Sequence, residues 1–264
     1  MIAPPPADGA LDDLTVHIAT GRRLAALLTA MDLSEEGLRR ISATVDACQL
    51  IIALPGSGVE QSTLLADTLS ERADGAVRCL RLEVAHTAID EAGGLYMTRP
   101  DGGEDRLLVL HRHLIDLSVA REAAGDPVGA AGVAADAVVV ARRRDDVGVV
   151  GARQGLAEAL DEHARLTNDL RRSDQAIDSA REATDLWWDL ARNQPTAYLD
   201  SLTRSLITLS TYMSDDGRHR LVGRDLRDAF DRLRSGEDQI QRAGEVMAAL
   251  SALDFPRRAP TDKR

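Results

Sequence analysis

The residues of this chain that could do chemistry are few, and their spacing decides what they could do. The histidines are His17, His86, His111, His113, His163 and His219. Glu83-x-x-His86 has the spacing by which one helix offers a carboxylate and an imidazole to a carboxylate-bridged di-iron centre. Such a centre needs a second Glu-x-x-His, and the sequence has none. His86 is therefore read as a surface or edge histidine. His111 and His113 stand two positions apart, about 200° around a helix, and cannot share a metal. Asp161, Glu162 and His163 adjoin but face different sides of a helix. No His-Glu-x-x-His and no Gly-x-Ser-x-Gly occurs. Cys48 and Cys79 form no metal-spaced cluster and lie in apolar helical contexts, so they read as reduced thiols of a cytoplasmic protein. The expectation is a chain without catalytic residues, cofactor or metal.

One segment competes with that reading. Leu50-Ile51-Ile52-Ala53-Leu54 runs into Pro55-Gly56-Ser57-Gly58, and Ser62-Thr63 follows. An apolar strand, a glycine-rich loop and a hydroxyl pair opening a helix are the parts of a phosphate-binding P-loop. That chemistry also needs a lysine on the phosphates. Here Val59, Glu60 and Gln61 intervene, and Glu60 puts negative charge where phosphate should sit. Residues 50–65 are read as a Pro/Gly turn between helix pairs, with Ser57 capping the next helix. A degenerate nucleotide-binding or signalling module is the alternative; a helical-bundle metal or small-ligand protein, resting on Glu83 and His86, is another.

Composition narrows the partners. The chain has 264 residues, 32 basic and 43 acidic, for a net charge of −11. A phosphate backbone is repelled on average, so no nucleic-acid partner is expected. Arg142-Arg143-Arg144 is the densest basic run, but Asp145-Asp146 follows at once. No apolar run reaches the roughly 18 residues of a membrane span, and the N-terminus lacks a basic region followed by an apolar stretch, so neither a membrane nor a secretory signal is expected. Aromatics are 3%, so the core must be built from Leu, Ala, Val and Ile, which argues against an all-β fold.

The elements that must position any site are helices. Leu24, Leu27, Leu28 and Met31 recur at steps of three and four, as do Leu38, Ile41, Val45 and Cys48, and Leu107, Leu110, Leu114 and Leu117. Gly125-Asp126-Pro127 reads as a helix end, a cap and a first-turn proline. The punctuation predicts about eleven helices joined by short turns, hence antiparallel neighbours. The pattern also repeats. Leu114, Leu160 and Leu206 lie 46 residues apart, and so do Ala130, Ala176 and Val222, and Ala137, Ala183 and Ala229. Small residues at these places let paired helices approach closely.

This register resembles the tetratricopeptide repeat (TPR). The resemblance rests on Leu114, Leu117, Ser118, Gly125, Asp126, Ala130, Ala134 and Ala137 in one unit. It rests on Leu160, Ala164, Ala176, Ala180 and Ala183 in the next, and on Leu206, Leu209, Ser210, Gly217, Leu226 and Ala229 in a third. The stretch Leu186–Leu199, with Trp187 and Trp188, looks like the inter-repeat segment of long arrays of this type in high-GC actinobacteria. The period exceeds the family's usual length of about 34, and the aromatic of its second helix is replaced by Ala134, Ala180 and Leu226. A weaker unit spans 59–92, with Leu64 and Leu65 in its first helix, Gly75 at the turn, and Leu80 and Val84 in its second.

The resemblance implies an all-α stack of antiparallel helix pairs. The expected division is a flexible arm over 1–10, a helical region of weak repeat character over 11–104, repeats with a capping helix (237–253) over 105–255, and a tail over 256–264. It further implies a non-enzymatic scaffold or adaptor whose first helices line a concave groove. Projected from the aligned leucines, the groove would present Arg112, Ile115 and Val119, then Glu158, Asp161, Glu162, Arg165 and Asn168, then Arg204, Ile207, Thr208 and Thr211. Asp161 and Glu162 stand where the family's carboxylate clamp has Lys and Asn, so the expected partner is a helix or extended peptide carrying Arg or Lys.

Overall fold

A computed structural model describes residues 8–53, 58–97 and 104–215. Nine helices cover them: α1 (Asp8–Ala30), α2 (Ser34–Ile52), α3 (Val59–Arg78), α4 (Leu82–Met97), α5 (Glu104–Ala123), α6 (Pro127–Asp146), α7 (Ala152–Asp169), α8 (Ser173–Asn193) and α9 (Pro195–Asp215). No strand occurs among the described residues. The expected count of about eleven is therefore not matched, and the capping helix at 237–253 lies outside the described residues. The chain forms two compact units, Met1–Ala152 and Arg153–Arg264.

Four turns organise these helices, and they share one construction. Each is three residues long and has its middle residue in the left-handed region: Asp32 (φ 64°), Leu80 (φ 55°), Gly125 (φ 81°) and Arg171 (φ 57°). The steps between them are 48, 45 and 46 residues. At each, the left-handed residue donates its N–H to the carbonyl three back, and the next residue donates to the carbonyl five back, as in Leu33 N to Leu28 O (2.9 Å), Arg81 N to Ala76 O (2.8 Å), Asp126 N to Arg121 O (2.9 Å) and Arg172 N to Thr167 O (2.9 Å). This is the Schellman closure of a helix C-terminus, which satisfies carbonyls that the helix cannot.

The weaker unit read over 59–92 is thereby corrected. Gly75 is buried inside α3, and the turn is Cys79-Leu80-Arg81. The turns recur through the first unit at steps of 48 and 45 residues, close to the 46 residues from Gly125 to Arg171. Asp32 occupies the left-handed position and does not cap α2, whose N-cap residue Leu33 makes no side-chain bond. Asp126 does cap α6, accepting from the Gly129 N–H at 2.8 Å.

Left-handed backbone costs a residue with a Cβ about 1–2 kcal/mol, partly offset by the unfolded-state entropy that glycine adds. Leu80 is 72% exposed, so its side chain contributes little burial. Leu80→Gly and Arg171→Gly should each raise stability by about 0.5–1 kcal/mol, and Gly125→Ala should lower it by about 1 kcal/mol, read from urea midpoints. An unchanged midpoint in both glycine variants would refute the shared turn.

Contacts across each turn show that consecutive helices run antiparallel. In the first unit a Cβ added to Gly21 of α1 would lie 2.4 Å from Thr44 Oγ1 of α2, so those helices meet where a side chain is missing. Ser118 of α5 donates to the Ala130 carbonyl of α6 at 3.0 Å, and His111 Nδ1 lies 3.3 Å from the Ala137 carbonyl. In the second unit His163 of α7 meets Ser179 of α8 at 2.9 Å, and Thr184 of α8 meets Ser205 of α9 at 3.0 Å. Alternate helices run parallel, as Arg22 of α1 reaches Glu71 of α3 and Gln154 of α7 receives Tyr198 of α9.

The buried faces are aliphatic. Ile18, Val45, Leu69, Leu107, Leu114 and Leu117 fill the first unit, and Leu160, Leu166, Leu202 and Leu206 the second. The alanines of the repeat register, Ala130, Ala134 and Ala137 in α6 and Ala176, Ala180 and Ala183 in α8, are fully buried. Val222, Leu226 and Ala229 lie outside the described residues.

Candidate functional site

In the first unit the odd-numbered helices border a cavity of about 590 Å³. Its apolar surface comes from small residues, Ala25, Ala26 and Ala30 of α1 with Gly37 of α2 and Gly75 of α3, backed by Ile41 and Val109. Gly37 is needed there: a Cβ on it would stand 2.6 Å from Thr29 Oγ1 and 3.1 Å from the Ala25 carbonyl.

The charged groups at the cavity pair with one another. Arg22 Nε donates to both Glu71 oxygens, at 2.9 and 3.0 Å, and this bond to Glu71 raises the arginine's proton affinity against the opposing effect of burial. Asp67 of α3 accepts from Tyr96 Oη of α4 at 2.9 Å and from Arg106 Nε of α5 at 3.0 Å. Burial, helped by the Asp67 charge, pushes the Tyr96 phenol well above its ordinary range. Burial pushes His113 down, while Asp74 and Asp116 pull it up. The His113 ring thus meets the cavity more weakly basic than an ordinary imidazole.

The second unit repeats the device of Asp67 with other residues. Asp161 of α7 accepts from Trp187 Nε1 of α8 at 2.7 Å and from Ser205 Oγ of α9 at 3.0 Å. Burial raises its carboxyl, and the two donated bonds with Arg204 pull the other way. In each case an aspartate on one odd-numbered helix ties down the aromatic of the following helix and a donor on the next odd-numbered helix. Trp187 is buried and stacks 6.0 Å from Tyr198, while Trp188 is half-buried.

The residues projected onto a groove are divided between the two units. Arg112 and Val119 are exposed on α5, and Ile115 is half-buried against the core of the first unit. In the second unit Glu158 and Arg204 are exposed and both act electrostatically on Asp161. Glu162 accepts from Arg165 at 2.7 and 3.0 Å, and Arg165 also reaches Asp169 at 3.4 Å. Tyr212 of α9 lies in the field of Asp169, Arg165, Asp161 and Glu162, and burial raises its phenol. Asn168, Ile207 and Thr208 are half-buried, and Thr211 is exposed. Glu158, Glu162, Arg165, Arg204 and Tyr212 thus belong to one α7–α9 side. Asp161 is taken into the packing instead, both oxygens engaged.

Sequence reasoning missed Arg22, Asp67, Glu71 and Tyr212. The first three lie on helices whose repeat register was hidden. The signal that could have placed them is the turn spacing, which brings α1 and α3 into line with α5.

The P-loop alternative loses its strand. Leu50, Ile51 and Ile52 are the last turn of α2, with Ile51 in the core. Gly58, and not Ser57, is the N-cap residue of α3. Its N–H donates to Gln61 Oε1 at 2.8 Å, and the Ser62 and Thr63 hydroxyls donate back to the Gly58 and Val59 carbonyls at 3.3 and 2.8 Å. The Gly58 amide and the Ser62 and Thr63 hydroxyls are thus used by the helix itself, and residues 54–57 lie outside the described residues.

Glu83 is also committed. It accepts from the Arg121 guanidinium at 2.9 Å, and the same arginine bonds Asp126 at 2.7 Å. Cys48 is buried and lies 3.6 Å from Thr68 Oγ1, and Cys79 is half-buried. No described helix is long and apolar enough to cross a membrane.

No protein-family model and no curated protein matches the chain. Among solved structures it is similar to a Podosopora anserina protein of kinesin-light-chain type with nearly identical TPR-like repeats, at 11% identity and a TM-score of 0.45 over 92% of this chain and 98% of that one. A point variant of that protein matches at 11% identity and a TM-score of 0.45, over 90% and 94%. BtubC (BKLC) from P. vanneervenii matches at 18% identity and a TM-score of 0.42, over 97% and 100%.

Proposed function

We propose that this chain is a non-enzymatic interaction scaffold that takes a peptide or helix of another protein against its odd-numbered helices. The observation that carries the reading is the open cavity along α1, α3 and α5. Its small apolar residues leave room for an inserted side chain, and its ion pairs Arg22–Glu71 and Asp67–Arg106 form a polar border. Those pairs are engaged with each other, as at the polar rim of a recognition surface. The acidic excess of the chain, and Glu158, Glu162 and Asp169 beside α9, favour a partner carrying Arg or Lys. A cytoplasmic location and an actinobacterial-type repeat array fit the same reading.

A photo-crosslinking residue placed at Ala26 or Val109 should trap one protein from the native host, and Ala30→Arg, which fills the cavity, should abolish that adduct. A crosslinker at Asp46, on the exposed side of α2, is the control. Trapping from Asp46 alone, or an adduct indifferent to Ala30→Arg, would refute the reading.

A further inference from the structure

A second cluster lies in the first unit, on its even-numbered helices, apart from the cavity. His86 and Asp90 stand one helical turn apart on α4 and share a face; Asp136 of α6 completes the group. His86 Nε2 is 3.7 Å from Asp90 Oδ1 and 3.9 Å from Asp136 Oδ2, and the three donor atoms lie within 4.8 Å of one another. These separations exceed hydrogen-bond length, so the groups do not satisfy one another. They approach the spacing a cation would impose. Metal–ligand bonds of about 2.0–2.2 Å in tetrahedral geometry set donors roughly 3.3–3.6 Å apart. The carboxylates are 63% and 54% exposed and free to rotate by the difference.

We propose that His86, Asp90 and Asp136 bind a zinc ion that braces α4 against α6. One imidazole and two carboxylates form a three-ligand set suited to a borderline first-row ion, with water completing the tetrahedron. The charge balance supports it. The guanidinium in contact with His86, that of Arg121, is already matched by Glu83 and Asp126. Among the described residues, the two aspartates therefore face each other with the imidazole alone between them.

One contact must give way. Arg121 Nη2 lies 3.2 Å from His86 Nδ1. Zinc takes the Nε2 lone pair, so the ring carries its proton on Nδ1 and releases the guanidinium to Glu83 and Asp126.

The test is titration of the full chain with Zn²⁺, followed by calorimetry and by thermal unfolding, with chelator reversal. The expected result is one equivalent bound and a melting temperature that rises with zinc. His86→Ala and Asp136→Asn should each weaken binding at least about tenfold. Asp46→Asn, an exposed change on α2 away from the donor set and Arg121, should leave binding intact. Asp136→Asn is a surface change, so it decides the matter should His86→Ala fail to fold. No zinc-dependent shift in the wild type, or a shift undiminished in Asp136→Asn, would overturn the proposal.

Discussion

Replacing Asp161 with alanine should lower the stability of the second unit by about 3 kcal/mol. The loss follows from two stranded donors, Trp187 Nε1 and Ser205 Oγ, each paired to the carboxylate at 2.7 and 3.0 Å. Hydrogen bonds to a charged group contribute about 1.5–3 kcal/mol each, and a buried donor left without a partner costs about 1–3 kcal/mol. Ser205 keeps Thr184 as a partner, which limits its share. Asp161→Asn keeps one oxygen for the indole and should lose about 1 kcal/mol. The two variants also separate by pH. Burial holds the native carboxyl above its unfolded value, so the native state binds the proton more tightly. The stabilising effect of that protonation is fully present below the ordinary carboxylate value and is lost as pH rises through the raised native one. Measured by urea midpoints, wild type should therefore gain on Asp161→Asn as the solution is acidified through that window. A difference between them that stays constant with pH would refute the buried-carboxylate assignment.

Asp161 also shows where sequence reading stops. Its position on a first helix was legible from the 46-residue register, and register alone projects it beside Glu158 and Glu162 onto an open face. What removes it from that face is Trp187, whose ring is buried and whose indole N–H needs an acceptor. A one-dimensional pattern records that a residue recurs; it does not record which neighbour claims it. The N-terminal half was opaque for a related reason. Its turns carry Asp32 and Leu80 where the register read from 105 onward has Gly125, and a left-handed Leu has no sequence signature. The alanines of α6 and α8 were legible because close helix approach allows little else. Ion pairs between alternate helices, such as Arg22–Glu71, were not, because charged pairs 49 residues apart leave no periodic trace.

Truncating Leu114, Leu160 or Leu206 to alanine should cost about 3–4 kcal/mol at each position, the largest effects expected anywhere in the chain. All three side chains are at most 2% exposed, and each occupies the same place on an odd-numbered helix. Equal places in a repeat predict equal costs, since each leucine vacates a similar volume in the buried face of its own unit. The second expectation concerns where the loss is felt. In a stack of hairpins each unit contacts its neighbours alone, so destabilisation stays regional. Leu114 belongs to the first compact unit, and Leu160 and Leu206 to the second. Amide exchange should therefore quicken most in α5 and α6 for Leu114→Ala, and most in α7, α8 and α9 for the other two. Uniform acceleration from all three variants would mean that the chain unfolds as one cooperative body. Costs that differ by more than about 2 kcal/mol would mean that the leucines are not equivalent, and the shared register would fall with them.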